Sequence, residues 1–545
     1  MHVKRMRVAI AMSASFVSLA LVGHSQGAAF KPIIVAGTAA PGGGGATFST
    51  SAAPAIDHAG NVASLGYIGP STANDKGLWA GQPGDLTKVA RIGEQVPGLI
   101  AGVNYLDLFN ANVNNNGNLI FRAAATGAGV TTGNDGLVML RSTSTVSVLA
   151  REGDQAPGAP AGILYGNLND TSNQSSAYQP AHGNNGALAY IAPLAGAGVT
   201  VDVNDRAIWM GTSAANMTML GRRGDSAPGA DTAVFQNFAR PVVNGNGMLA
   251  TLGTLSGGGV TTSNDRGIWT STGAALTKFV RAGEIAPGTG GASYDDFFVP
   301  GINDAGNIGF ATILQGSGVT TANDRALYIG NSPASLTLLA REGDALPDAG
   351  PGITLQQINL PTLSGSNTIA FPGSLTGTGV TNANNTALWT ANATDGLRTI
   401  AREGDAAPGT GPGVTLGSLQ GPAVDMNIHG QAAFVVSLIG ATTETDSALY
   451  FYDPTDGLTL LAREGQTVEF SPGVTRTISD MFFLLGTQNA GGQDGEYMSL
   501  NDAGEVAVFS LNGDSFVVAV PEPGSIAMLA IGALGLLARR RRARA

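Results

Sequence analysis

Five acidic residues stand outside any repeating pattern in this chain: Asp170, Asp295, Asp296, Asp494 and Glu496. Cleaving a polysaccharide needs two carboxylates flanking one bond, about 5 Å apart for retention or about 6.5–9.5 Å for inversion. Nothing in the spacing of these five pairs any two of them. Three histidines of the chain body, His58, His182 and His429, each sit at or beside an N-x-x-G turn. Single histidines so far apart fit turn residues better than a metal site. The N-D-A-G turns lack the alternating carboxylates of an EF-hand loop. No cofactor is therefore expected, and structural calcium is left open. There is no cysteine, so disulfides, thiol catalysis and thiolate-bound metals are excluded. The G-H-S-Q-G stretch at residues 23–27 matches a hydrolase nucleophile pattern, but that pattern needs a strand before it and a helix after it. Here it falls in a segment expected to be removed.

Other charges recur. Arg91, Arg151, Arg222, Arg281, Arg341, Arg402 and Arg463 precede a repeated glycine. Asp75, Asp135, Asp205, Asp265, Asp324 and Asp446 precede a later strand, with Asn385 in one unit. One of each per unit predicts an Arg–Asp pair inside each unit or between neighbours, and breaking such a pair when buried costs about 3–5 kcal/mol. The alternative is a ring of ligand-binding charges. Catalysis uses one asymmetric constellation, not seven equal ones, so the chain is read as non-catalytic scaffolding.

Three phrases position these residues. The first, A-R-E-G-D-x-x-P-G, pivots on Gly37, Gly93, Gly153, Gly224, Gly283, Gly343, Gly404 and Gly465. The second is an N-x-x-G turn followed by an apolar run, as in N-D-A-G-N-I-G-F at residues 303–310. The third ends in an aromatic, as in G-V-T-T-S-N-D-R-G-I-W at residues 259–269. They return about every 60 residues, the mark of a repeat architecture. One unit holds four short strands, the content of a β-propeller blade. An all-β propeller of eight blades is expected, with seven if the long last unit is irregular. A β-solenoid is the runner-up, because its period is nearer 20 residues. P-I-I-V-A-G-T-A-A-P-G at residues 32–42 reads as a fourth strand with nothing before it, while the last unit lacks one. The N-terminal strand is thus expected to close the ring and cover its edges. Two units carry long insertions, at residues 165–179 and 481–498, which are natural places for a ligand site.

Bulk composition agrees. Glycine is abundant at 79 residues, and 43% of the chain is hydrophobic, too much for disorder. Net charge is −11, and loss of eight terminal bases with one acid takes the body to about −18. That surface repels nucleic acid.

The two ends read as addresses. Residues 1–29 carry Lys4, Arg5 and Arg7, an apolar stretch and small residues, the plan of a secretory signal. Residues 521–545 carry Pro521, Glu522 and Pro523, then a 15-residue apolar run, then Arg539 to Arg542. This tail resembles the PEP-CTERM sorting tail of Gram-negative bacteria, with Pro521, Glu522 and Pro523 matching its recognition triplet. The resemblance implies an exosortase-type processing enzyme as partner, transient membrane anchoring, and a place in the envelope, outer surface or extracellular matrix. It also implies a link to exopolysaccharide and biofilm. The second phrase resembles the N-x-x-G-x-x-A-F tandem repeat of bacterial surface proteins. Residues 30–520 are then an exported propeller that binds glycan or protein. The alternative is a propeller glycosidase or lyase using the non-repeating acids.

Overall fold

The computed structural model describes residues 28–69, 75–168, 179–421, 424–483 and 494–520. Within them the chain forms a single compact unit, Ala28–Val520. Eight antiparallel sheets follow one another, making an eight-bladed β-propeller. Blades 1 to 7 take in residues 48–91, 103–151, 163–222, 233–281, 293–341, 353–402 and 415–463. Blade 8 combines residues 481–519 with the N-terminal strand Ala29–Ile34. First strands of neighbouring blades pack on one another around the axis, and fourth strands lie outside.

Blade 5 shows the plan. Its strands are Ser293–Phe297 continuing as Gly301–Ile302, then Ile308–Gln315, Arg325–Gly330 and Thr337–Arg341. The first strand is interrupted between residues 297 and 301. Pro300 falls in the gap, as Pro54 and Pro361 do in blades 1 and 6. Proline has no N–H to give the ladder, so the strand bends there toward the axis. On the second and third strands Phe310 lies opposite Tyr328, with ring centroids 5.7 Å apart. Phe371 and Trp389, and Phe434 and Tyr450, repeat that stack. The aromatic that ends the second phrase is thus the cross-strand partner of the aromatic that ends the third.

The first phrase is spent, residue by residue, on joining blades. In A-R-E-G-D-Q-A-P-G the pivot Gly153 has φ +83°, and its N–H bonds to Tyr165 O of the next blade. A side chain would be strained there. Pro157 and Gly158 form the centre of a turn closed by Ala159 N–H to Ala156 O, with Gly158 at φ +77°, as a type II turn requires. Pro157 O then accepts the indole N–H of Trp209 at 3.0 Å. Trp79 and Trp269 bond to Pro41 O and Pro228 O, and Tyr328 and Tyr450 to Pro287 O and Pro408 O. Blade 6 departs: its incoming turn is the short 3-10 helix Pro347–Ala349, and the Trp389 indole N–H is buried without an acceptor.

The ring closes through the N terminus. Ala29–Ile34 pairs antiparallel with Ser515–Ala519, Ala29 opposite Ala519. A hairpin unique to this junction, Thr467–Ser471 with Val474–Thr477, clamps it. Arg476 donates to Ala36 O at 2.9 Å and lies 3.5 Å from buried Asp514, which also accepts the Ala36 N–H at 2.8 Å.

The indole contacts predict unequal costs. Trp209→Phe strands a buried carbonyl, whereas Trp389→Phe removes a donor that has no acceptor. The first variant should lose about 1 kcal/mol more stability than the second. Urea unfolding of both checks this, and equal losses would contradict it.

Candidate functional site

The repeated charges form a framework of fixed contacts. Arg91 does pair with Asp75, at 3.0 and 2.7 Å. The other arginines do not follow the expected pairing. Arg151, Arg341 and Arg402 donate Nε–H to the main-chain O of Asn134, Asn323 and Asn384, each one residue before the expected partner, at 3.1, 2.8 and 2.9 Å. Arg281 treats Asn264 O the same way, one residue before Asp265. A carbonyl is present whatever side chain follows, which is why Asn385 can replace the aspartate. Asp265 instead lies near Arg266, which reaches Asp296 at 3.4 Å.

Asp135 and Asp324 meet the glutamate of the first phrase. Burial first, and then the neighbouring Asp324, push Glu342 up to about 7, although two backbone N–H groups oppose the shift. Glu152 is likewise pushed up to about 7, by burial and by Asp135, against the Gly136 N–H. In blade 3 the glutamate is replaced by Arg223, which holds Asp202 and Asp205 at 2.8 Å. Asp446, Glu464 and Asp480 gather similarly, one oxygen of each within 4.8 Å of the others. That spacing would suit a cation, and Glu464 is raised by burial and by Asp480 and Asp446.

The N-x-x-G turns ring one mouth of the channel and bond hand to hand. His58 N–H donates to Asn115, Asn114 to Gly183 O, and Asn185 N–H to Gly245 O. Asn244 donates to Asn303 O at 2.8 Å and Asn303 to Ser364 O at 3.2 Å. Asn427 donates to Asn501 O, and His58 Nδ1 lies 2.7 Å from Asp502, completing the circuit. Only between blades 6 and 7 do the described residues show no turn-to-turn bond. There Ser364 replaces the donating asparagine, and the blades are joined lower down by Thr362 to Val424 O. His182 is buried, which pushes it down to about 4, and its ring meets Asn114. His429 is exposed. The three histidines thus occupy turns, as their spacing suggests.

The channel itself is filled from blade 8. Asp494 O accepts Val243 N–H, Gly495 O accepts His182 N–H, Tyr497 OH donates to Asn110 O, and Met498 O accepts Ile56 N–H. This short stretch therefore touches blades 1 to 4, and Asp425 of blade 7 holds the N–H groups of Ser499 and Leu500. Asp494 and Glu496 are buried beside Arg240, whose guanidinium is pushed down to about 10 by burial against the pull of Glu496 and Asp494. Asp295 and Asp296 lie elsewhere, between blades 4 and 5 beside Asp265 and Arg266. Asp170, most of both insertions, the signal segment, and the triplet Pro521, Glu522 and Pro523 with the apolar run lie outside the described residues. Among the described residues no helix is long and apolar enough to cross a membrane.

A groove of about 740 Å³ lies over blades 5 to 7, at the face where the circuit of turns is broken. Asn307, Ser366, Asn392, Asp395, Arg398 and Tyr452 line it. Its described lining residues come from blades 5 to 7 and were not singled out by the sequence analysis. The signal was in the sequence nonetheless, as departures from the repeat register.

This architecture is that of an eight-bladed repeat propeller. The chain belongs to a family of unknown function, DUF7453, whose profile matches three times in tandem, over residues 13–210, 166–359 and 347–527. Residues 519–542 match the PEP-CTERM protein-sorting motif. No curated protein matches the chain. Solved structures resemble the chain at low identity. A prolyl endopeptidase is 11% identical, with 76% of this chain covering 50% of that one and a TM-score of 0.40. An oligogalacturonate lyase in complex with manganese is 13% identical, over 80% of this chain and 96% of that chain, TM-score 0.37. The β-propeller domain of the trilobed protease from Pyrococcus furiosus is 8% identical, over 77% and 100%, TM-score 0.38. The chain spans about half the length of the prolyl endopeptidase it matches.

The paired carboxylates predict a pH dependence. Glu342 titrates higher in the folded chain than its ordinary 4.5, so the folded state binds the extra proton. Its contribution is full below about pH 4.5 and is lost as pH rises through about 7. Glu342→Gln should therefore leave Tm unchanged near pH 4.5 and raise it by about 2 °C at pH 8. A variant destabilised at both pH values would show that the carboxylate, not its proton, is what the fold needs.

Proposed function

We propose that this chain is a non-catalytic protein of the cell surface or extracellular matrix whose propeller binds glycan or protein in an exopolysaccharide-rich envelope. The PEP-CTERM motif implies exosortase processing and export to the envelope surface. The observation that carries the binding reading is the groove over blades 5 to 7. It is concave and lined by amides and hydroxyls, and its single lining carboxylate, Asp395, is tied to Arg398 at 3.0 Å. A hydrolytic cleft needs a second acid facing the first. The second reading, a polysaccharide-cleaving enzyme, draws on Asp494 and Glu496, neighbours in the channel. Against it stand the Arg240 guanidinium and the burial of both side chains.

Two experiments test this. Full-length protein mixed with the producing organism's exopolysaccharide should cosediment with it and leave its length unchanged. Shortened polymer would establish the enzyme, and Asp494→Asn and Glu496→Gln would then be the first variants to make. Replacing Pro521, Glu522 and Pro523 with alanine should stop processing and hold the protein in the membrane fraction. Unchanged processing and location would remove the exosortase from the account.

A further inference from the structure

The blades are near-copies, so a residue that departs from its seven equivalents has been freed from the repeat's demands. The strand registers put such departures side by side. Tyr452 stands two pairs beyond the ring stack on the third strand, on the same face of the sheet and opposite Ala432. Its equivalents are Gly81, Arg141, Gly211, Ser271, Gly330, Ala391 and Val518. Tyr452 is the one aromatic among them. On the fourth strand Arg398 lies opposite Thr390. Its equivalents are Thr87, Ser147, Thr218, Thr277, Thr337, Thr459 and, on the closing N-terminal strand, Lys31, so among blades 1 to 7 it is the one charge. The turn Ser364-Gly365-Ser366-Asn367 lacks both the asparagine and the glycine of N-x-x-G, and Asn367 takes φ +63° in the glycine's place. All three departures line the same groove.

Their chemistry is complementary. Tyr452 is half-buried and contributes an aromatic ring to the wall. Arg398 donates to Asp395, which also accepts from Asn392 at 3.2 Å, so donors and an acceptor stand in a row beside the ring. The small turn of blade 6 makes room, with Ser366 and Asn367 as further polar groups on the floor. An aromatic face with adjoining fixed donors and acceptors fits the two sides of a pyranose, its C–H face and its hydroxyl edge. The Arg398–Asp395 pair is locally neutral and the whole chain carries −11, which disfavours polyanions.

We propose that this groove is a binding site for a neutral oligosaccharide, stacked on Tyr452 and held through its hydroxyls by Arg398, Asp395 and Asn392. The proposal rests on the glycan-binding reading above and names its site and sugar class. Calorimetry and saturation-transfer NMR of the full chain with cellohexaose, laminarihexaose and mannohexaose test it, with polygalacturonate hexamer as the anionic comparison. At least one neutral hexamer should bind, and Tyr452→Ala and Arg398→Thr should each weaken it about tenfold. Arg398→Thr restores the residue of blades 1, 3, 4, 5 and 7, and Tyr452→Ala the residue of blade 6, so their melting temperatures should stay near that of the parent. A neutral hexamer bound equally well by both variants would overturn the groove as the site and leave glycan binding standing. Binding of the anionic hexamer alone would overturn the sugar class. No hexamer bound, with exopolysaccharide still cosedimenting, would overturn the proposal without touching the broader reading. Failure of both would remove both.

Discussion

The structure depends on how each blade's turn is satisfied by the next one. Backbone groups at a strand-to-strand turn near the axis are shut off from water, and unpaired they would each cost about 1–3 kcal/mol. The N-x-x-G asparagine meets that demand twice. In blade 5 its Oδ1 accepts the Asn307 N–H of its own turn, while Nδ2 donates to Ser364 O of the next blade. A blade taken alone would leave half of those bonds unmade. The circuit therefore favours a closed ring over an open stack, and asparagine holds the first turn position in five of the eight units.

The same logic explains the phrase that recurs most plainly in the sequence. Its proline carbonyl, pivot glycine and arginine all bond across a blade or between blades. Repetition in this chain marks structural duty, and the groove is found where repetition lapses. Ser364 cannot make the asparagine's bond, the circuit opens between blades 6 and 7, and the space that opens is walled by Tyr452 and Arg398.

Strand content, period, blade number and N-terminal closure were legible because each follows from local turn chemistry and from the 60-residue period. The arginine contacts were not, because sequence shows side chains and the acceptor proved to be a main-chain oxygen. The channel filling was half legible: the last unit is visibly too long, but which blades residues 494–500 would touch depends on the ring being closed. The groove residues were legible only in register. Tyr452 is unremarkable in L-Y-F-Y-D until Gly330 and Ala391 are set beside it.

The closing strand pair also decides how the molecule bears load. Ser515–Ala519, the last strand before the sorting tail, is not at an edge: it lies between Glu505–Ser510 on one side and Ala29–Ile34 on the other. A pull through residue 520 therefore runs along a strand bonded on both flanks. The ladders resist it in shear, many bonds at once, instead of peeling open one bond at a time. Were the ring closed by its C-terminal strand on the outside, the same pull would unzip it. Closure by the N terminus makes the end that joins the tail the mechanically protected one.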